Sequence, residues 1–479
     1  MLICFCYSQA DIHSNYFIIW CKMPSEVPDC PKIPVVTTDT NQIKNYKIRL
    51  VTPMFGGGAT VGIVDTDFPI RSTAIRGHLR GWWRLVHGHS LGDKMWRREE
   101  EIFGSTEFPS PVTVSVKKLT EVRMLDAANK GVLSVKEAYA LFPAIENKLF
   151  VTEEGLEFEI TVQIASEGEL QRCRDAQNKR RTKAKQSILD KSIVPIEDDV
   201  TKALSAWLNF GGIGGRTRRG CGAVYCEDFK GKYPQLLART FLGPAKDSPI
   251  EAWGSALEAY RIFRQEPRGR LHDKVLRNGR TVKVPGRSHW PEADSIRKIT
   301  GCSLKPPAGT LSGEILADID THDHSNPVVP SNLLPAFPKA VLGLPINFHF
   351  ADSPPRDHNA SVNHDPKDVK LYPMLRAKNG DMKKADRMAS PVITRPLYKE
   401  NKWYPAIIIF NQSLPEGMRF RLEGQNAFFD GKSFEDLAFD KVVHGSLGKI
   451  EPMRGKSNAI DALIDFLSDQ NRGFKEVNR

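Results

Sequence analysis

The chain has 479 residues, a formal net charge of +11 at pH 7 and eight cysteines. Such a length suits two or three domains with cores of their own, and the basic balance favours a polyanionic partner without specifying a fold. The cysteines include no Cys-x-x-Cys pair, which argues against a zinc site or a disulfide framework and fits a reducing, cytoplasmic setting.

In chain order, Phe17–Cys21 are apolar, but no basic region precedes them and Gln9, Asp11, His13 and Asn15 interrupt the stretch. Neither a signal peptide nor a membrane span is expected there. Met23 is the expected start, and residues 1–45 read as a leader. Tyr46, Ile48 and Leu50 alternate with Lys47 and Arg49 in a predicted strand, ended by Pro53 and followed by Gly56, Gly57 and Gly58. Arg71–Leu91 is a predicted helix. At about 100° per residue, Ile75, Leu79, Trp82, Trp83 and Val86 share an apolar stripe expected to enter the core. Arg76, Arg80, Arg84 and His87 fall in the adjacent stripe. With almost no acidic residue beside them, these arginines are expected to face phosphate groups.

Val112, Val114 and Val116 mark a second strand, and residues 156–164 a third. Residues 119–155 between them read as an insertion. Lys179, Arg180, Arg181, Lys183 and Lys185 place an exposed basic loop or short helix within 171–196. A helix over Asp198–Phe210 and a strand over Cys221–Phe229 complete a β-α-β-β-α-β order over 46–230, the ferredoxin-like arrangement. Residues 231–300 read as a basic linker or insertion, most strongly charged over 261–287. Over 301–479, strands at Leu311–Ile319, Pro345–Phe350, Pro391–Tyr398 and Tyr404–Phe410, with helices at Asn332–Leu342 and Ser457–Ser468, suggest a second, degenerate copy of the same fold. Residues 351–389 are polar and proline-rich, an expected mobile insertion. The fold class expected is α+β, with two ferredoxin-like (RRM-like) domains and insertions.

Six glycines and three arginines occupy the fourteen positions from Gly211 to Val224. No Lys follows as in a Walker A loop, and Thr217 stands where a dinucleotide fingerprint needs its third glycine. Gly212, Gly214 and Gly215 are expected to let backbone N–H groups reach phosphates. Arg216, Arg218 and Arg219 would add permanent charge in a planar fork. Together with Gly56, Gly57, Gly58, Arg71, Arg76, Arg80 and Arg84 they form an expected groove for a polyanion.

Other side chains suggest chemistry. His78 and His87 raise the alternative of a metal-independent nuclease, with one of them as the proton-transfer group, although His78 lies off the arginine row and suits a structural role. Asp318, Asp320, His322, Asp323 and His324 have metal-ligand types, but their clustering also suits an exposed acidic turn. Asp65 and Asp67, beside Pro69, read as turn residues more readily than as a cleaving pair. No metal and no cofactor are expected. A purely architectural subunit, held by protein contacts, is a third reading.

Gly211-Gly-Ile-Gly-Gly-Arg-Thr-Arg-Arg-Gly-Cys-Gly222 resembles the glycine-rich loop of the RAMP superfamily of CRISPR proteins. Ile75–Arg84, Glu101–Ser105, Ser110–Val112, His289–Arg297, Ala336–Pro345 and Met388–Pro391 resemble, more narrowly, RAMP subunits of the type III-B (Cmr) effector complex. The resemblance implies two ferredoxin-like domains and a non-catalytic subunit near the 3′ part of the guide RNA. It implies guide CRISPR RNA, target RNA and other RAMP subunits as partners, and no membrane.

Overall fold

The computed structural model describes residues 42–477, except 301–334, 349–368, 423–449 and several shorter stretches. The leader up to residue 41, the Leu311–Ile319 strand, the Asp318–His324 cluster, the His349–His364 group and the first part of the 351–389 insertion lie outside the described residues.

Alternation decides the first sheet. β1 (Gln42–Leu50) buries Tyr46, Ile48 and Leu50 and exposes Lys47 and Arg49. α1 (Ser72–Leu91) turns Ile75, Leu79, Trp82 and Trp83 into the same core, as its stripe predicts. Burying each such side chain contributes about 1.5–3 kcal/mol relative to leaving it exposed. α2 (Met95–Phe103) adds Ile102 and Phe103. β2 (Val112–Lys118) leads into the insertion, built from β3 (Met124–Asp126), α3 (Val135–Glu146) and β4 (Phe150–Thr152). Ser134 starts α3 with a capping box, its hydroxyl accepting from the Glu137 N–H while the Glu137 carboxylate accepts from the Ser134 N–H.

β5 (Glu157–Ile164) returns to the sheet. The expected basic loop or short helix within 171–196 is largely helix, α4 (Glu167–Lys183), with Arg174 and Arg181 buried against Glu101 and Glu100. α5 (Glu197–Phe210) carries three acidic residues in its first turn, where the helix dipole favours them. β6 spans only Val224–Tyr225, not Cys221–Phe229, because the chain turns back at Glu227–Phe229 in a 3-10 turn. The strand order is β2-β5-β1-β6, all pairs antiparallel, which is the ferredoxin-like order.

A second sheet repeats it. β7 (Ala238–Leu242) and α6 (Pro249–Gln265) come first, then a hairpin of β8 (His272–Val275) and β9 (Thr281–Val284), then α7 (Glu292–Thr300). β10 (Ile346–Phe348), β11 (Val369–Arg376) and β12 (Met382–Lys384) pair in a separate sheet, to which β15 (Arg419–Leu422) also belongs. β13 (Val392–Lys399), β14 (Lys402–Phe410), α8 (Ala459–Ser468) and β16 (Lys475–Glu476) finish the repeat, in the antiparallel order β13-β14-β7-β16.

This pairing moves the boundary between the two halves. The second unit starts at β7, not at 301, and the expected 231–300 linker supplies its first strand and first helix. Trp253, Leu257, Tyr260 and Phe263 of α6 are buried, but their stripe runs straight into the basic run that follows it, which hid the helix in the sequence. The described part of the expected 351–389 insertion contains β11 and β12, and Leu371 of β11 joins the second core. The expected Asn332–Leu342 helix is, among the described residues, a 3-10 turn at Pro338–Leu342. No described helix is long and apolar enough to cross a membrane.

Candidate nucleic-acid interface

The two glycine-rich segments meet. Residues 52–55, which follow β1, run beside the loop that follows α5: the Gly215 N–H donates to the Phe55 carbonyl at 2.6 Å and the Gly222 N–H to the Pro53 carbonyl at 2.8 Å. Thr52 ties the far end, its hydroxyl donating to the Gly220 carbonyl at 2.6 Å and accepting from the Ala223 N–H. Two glycines here admit no side chain. A Cβ on Gly214 (φ +81°) would stand 2.6 Å from the Phe55 carbonyl oxygen, and one on Gly222 (φ +65°) 2.0 Å from that of Ile213. The glycines therefore serve first to let the chain pack on itself. The expectation that Gly212, Gly214 and Gly215 all offer N–H groups to phosphates is corrected for Gly215, whose donor is used by Phe55, and for Gly212, which is buried against the Gly222 carbonyl. Gly56 and Gly57 lie against Gly62 and Gly214, and the Gly58 N–H donates to Ile63. Arg71, exposed at the start of α1, donates to the Gly57 carbonyl at 3.0 Å.

The loop arginines engage the protein itself. Arg216 adopts a left-handed backbone (φ 56°) and its Nε donates to the Ala140 carbonyl of α3. Arg218 donates to the Ser390 carbonyl just before β13. The Arg219 guanidinium lies 4.7 Å from the Tyr260 ring centroid of α6, and its carbonyl accepts from the Trp253 Nε1 at 2.7 Å. Burial pushes the Arg216 and Arg218 guanidinium groups below their ordinary value and the buried Cys221 thiol up to about 12. Arg216 remains the most exposed of the three. These residues thus bind the loop to the insertion and to the second unit, a role hidden in the sequence because their partners lie up to 172 positions away.

The arginine row of α1 is also corrected. Glu99 of α2, buried, receives Arg80 on one oxygen and Arg84 on both, the Arg84 contacts at 2.6 and 2.5 Å. Burial pushes the Glu99 carboxyl up, but the two guanidinium groups outweigh it and hold the group below its ordinary value. Arg76 donates to the Phe103 carbonyl, and burial lowers it. His87 lies 3.9 Å from Asp199. The row therefore forms a seam between α1 and α2, with the Arg80 and Arg84 side chains still 38% and 40% exposed. Glu99 sits fifteen residues after Arg84, across the turn between the helices, where helical periodicity does not look.

Sequence reasoning missed Arg395 altogether. It rises from β13 into the end of α5 and is buried. Nη1 donates to Gly211 at 2.6 Å, Nη2 to Val224 at 3.0 Å and Leu208 at 3.3 Å, and Nε to Pro396 at 3.0 Å. Four carbonyls and, among the described residues, no carboxylate hold this cation, and burial lowers its affinity for the proton. Its identity as Thr-Arg-Pro in a strand carried no signal of that role.

The histidines are packed. The His78 ring stacks on Trp207 at 6.1 Å and 8°, and burial lowers its proton affinity. His87 stacks on Trp83 at 5.6 Å and is lowered likewise. Asp65 folds its own turn, accepting from the N–H groups of Asp67 and Phe68. Among the described residues no group of three His, Cys, Asp or Glu side chains could hold a metal. Beside the joined glycine segments, Arg71 and Arg216 stand exposed at the surface.

The family model of the RAMP superfamily matches residues 47–225, the span from β1 to β6. No curated protein matches. Among solved structures, Cmr1 from Pyrococcus furiosus in its apo form is similar at 16% identity, with 78% of this chain and 89% of that chain covered and a TM-score of 0.39. A chain of the type III-B Cmr-beta complex bound to cognate target RNA and AMPPnP, in the presence of single-stranded DNA, is similar at 12% identity, with 78% and 96% covered and a TM-score of 0.29.

Proposed function

We propose that this chain is a non-catalytic, RNA-binding subunit of a type III-B (Cmr) CRISPR effector complex. One observation carries the reading: the RAMP-superfamily match covers the first ferredoxin-like unit from its first strand to its last and includes the glycine-rich loop. Guide CRISPR RNA or target RNA would lie over the joined segments Gly56–Gly58 and Gly212–Arg216, with Arg71 and Arg216 as the phosphate contacts. Such contacts give affinity without sequence readout. The other RAMP subunits are its neighbours in this reading, and the cytoplasm its compartment. The packing of His78 and His87 on tryptophans supports a structural role for both rather than proton transfer.

Filter binding of a single-stranded RNA across a salt series tests this. Log affinity should fall linearly with log salt, and Arg71→Glu should weaken binding several-fold with a shallower slope. Incubation with repeat RNA in chelator should leave the RNA intact. Parental affinity and slope in Arg71→Glu would remove the loops from the RNA site, and size-specific cleavage lost in His78→Ala would establish an endoribonuclease instead.

A further inference from the structure

The outer face of the first sheet carries a cleft. Lys47 and Arg49 of β1, Glu157 of β5 and Tyr225 of β6 face Tyr398 of β13 and Trp403 of β14. With Glu227 they line a cleft of about 440 Å3. That volume is within the range of small-ligand sites, about 300–1,000 Å3. It lies on the side of the sheet opposite α1 and α5, since Lys47 and Arg49 alternate with the core residues Ile48 and Leu50.

Three rings form one corner of the cleft. Tyr398 and Trp403 are cross-strand partners with centroids 4.8 Å apart, and Tyr225 stands 5.1 Å from Tyr398 and 5.5 Å from Trp403. Tyr225 stands edge to face against both rings, at 72° to Tyr398 and 63° to Trp403, while Tyr398 and Trp403 are tilted by 58° to each other. Trp403 is the buried base of the corner, packed with Val51, Ala223 and Ala252. Tyr225 and Tyr398 are half-buried and line the opening. Lys47 is paired with Glu157 at 2.7 Å, and Tyr225 donates to Glu227. Arg49 is exposed, sits in register between Glu157 and Tyr225, and has no ion pair among the described residues.

An aromatic corner beside an unpaired guanidinium suits a planar ring that carries one negative charge. Two carboxylates on the rim disfavour a purely anionic ligand such as free phosphate, and they can accept from the N–H groups of a base. We infer that this cleft binds one unstacked nucleotide of single-stranded RNA, the base against Tyr225 and Tyr398 and the phosphate on Arg49. The inference rests on the RNA-binding function proposed above and adds a contact separate from the glycine loops. It also requires both units, because the first supplies the charge and the second supplies two of the three rings.

Binding of adenosine monophosphate to the full chain, followed by titration calorimetry, provides the test. Stacking on aromatic side chains is sequence-tolerant, and its loss weakens binding about tenfold or more per base. The full chain should bind the nucleotide, inorganic phosphate should not compete, and Tyr225→Ala and Arg49→Gln should each weaken binding about tenfold while melting as the parent does. Absence of nucleotide binding, effective competition by phosphate, or parental affinity in both folded variants would overturn the cleft. The same proteins assayed with a longer single-stranded RNA separate the two readings. RNA binding by the parent without nucleotide binding removes the cleft and leaves the function standing. Nucleotide binding without any RNA binding overturns the RNA assignment of both.

Discussion

Arg395 Nη1 donates to the Gly211 carbonyl at 2.6 Å, so a side chain of the second sheet closes the helix that introduces the glycine-rich loop of the first. The last carbonyls of a helix have no partner within it, and this guanidinium serves those of Leu208 and Gly211 together with that of Val224 on β6. Arg395→Ala should destabilise the protein by about 3–5 kcal/mol, since each orphaned buried carbonyl costs about 1–3 kcal/mol. Arg395→Lys should recover only part of this, because one ammonium cannot span the four acceptors. Urea denaturation of the three proteins gives the comparison; a loss below about 1 kcal/mol in Arg395→Ala contradicts the bridging role.

Glu99 separates the two possible uses of the α1 arginines. Arg80→Ala and Arg84→Ala should lower stability and leave the RNA salt slope unchanged, because both side chains are engaged by Glu99. Glu99→Gln should destabilise by about 3 kcal/mol, the cost of breaking a buried pair, and should steepen the salt slope as two cations are released.

Acid should act through the same carboxylate. The folded value of Glu99 lies below the ordinary 4.5. The stability it contributes is therefore complete above 4.5 and is lost as the pH falls through the folded value. Thermal melts between pH 6 and pH 3 should show a shallower acid limb in Glu99→Gln than in the parent.

The two stacked histidines set a milder dependence at higher pH. Burial lowers both below the ordinary 6.5, so the unfolded chain binds more protons there and stability falls as the pH drops through and below 6.5. His78→Phe keeps a ring on Trp207 and should flatten this part of the curve. An unchanged pH profile in that variant shows that His78 does not contribute to it.

Glycines in α1 and in the loop should respond in opposite directions. Gly77 and Gly81 have open space where a Cβ would stand, so Gly77→Ala should stabilise by about 0.5–1 kcal/mol. Gly222→Ala meets the Ile213 carbonyl at 2.0 Å with φ at +65°, and should cost at least about 2 kcal/mol. Melting temperatures of the two variants on either side of the parent are the expected result.

Most of the first unit was legible in the sequence. Strand alternation in β1, β2 and β5 and the apolar stripe of α1 are local patterns, and the hydrophobic effect acts on them directly. The junction of Gly56–Gly58 with the Gly211–Gly222 loop follows from the β-α-β-β-α-β order, which sets β1 beside β6. β7 and α6 were lost behind the basic run of 261–287, since a five-residue strand has little periodicity to show. The fate of the arginines was not legible at all. Whether a guanidinium faces solvent, Glu99, the Ala140 carbonyl or the Tyr260 ring depends on partners distant in sequence.

The sequence by itself determined the α+β class, the ferredoxin-like order of the first unit and the position of its glycine-rich loop, because each rests on periodicity or residue type within a short window. Folding in three dimensions set where the second unit begins, engaged Arg80, Arg84, Arg216, Arg218 and Arg219 with the protein itself, and placed Arg395 to hold the loop from across the chain. It also assembled the cleft of Arg49, Tyr225, Tyr398 and Trp403 from two sheets. Charge pairing, carbonyl capping and ring contacts depend on distance in space, and the sequence records only distance along the chain.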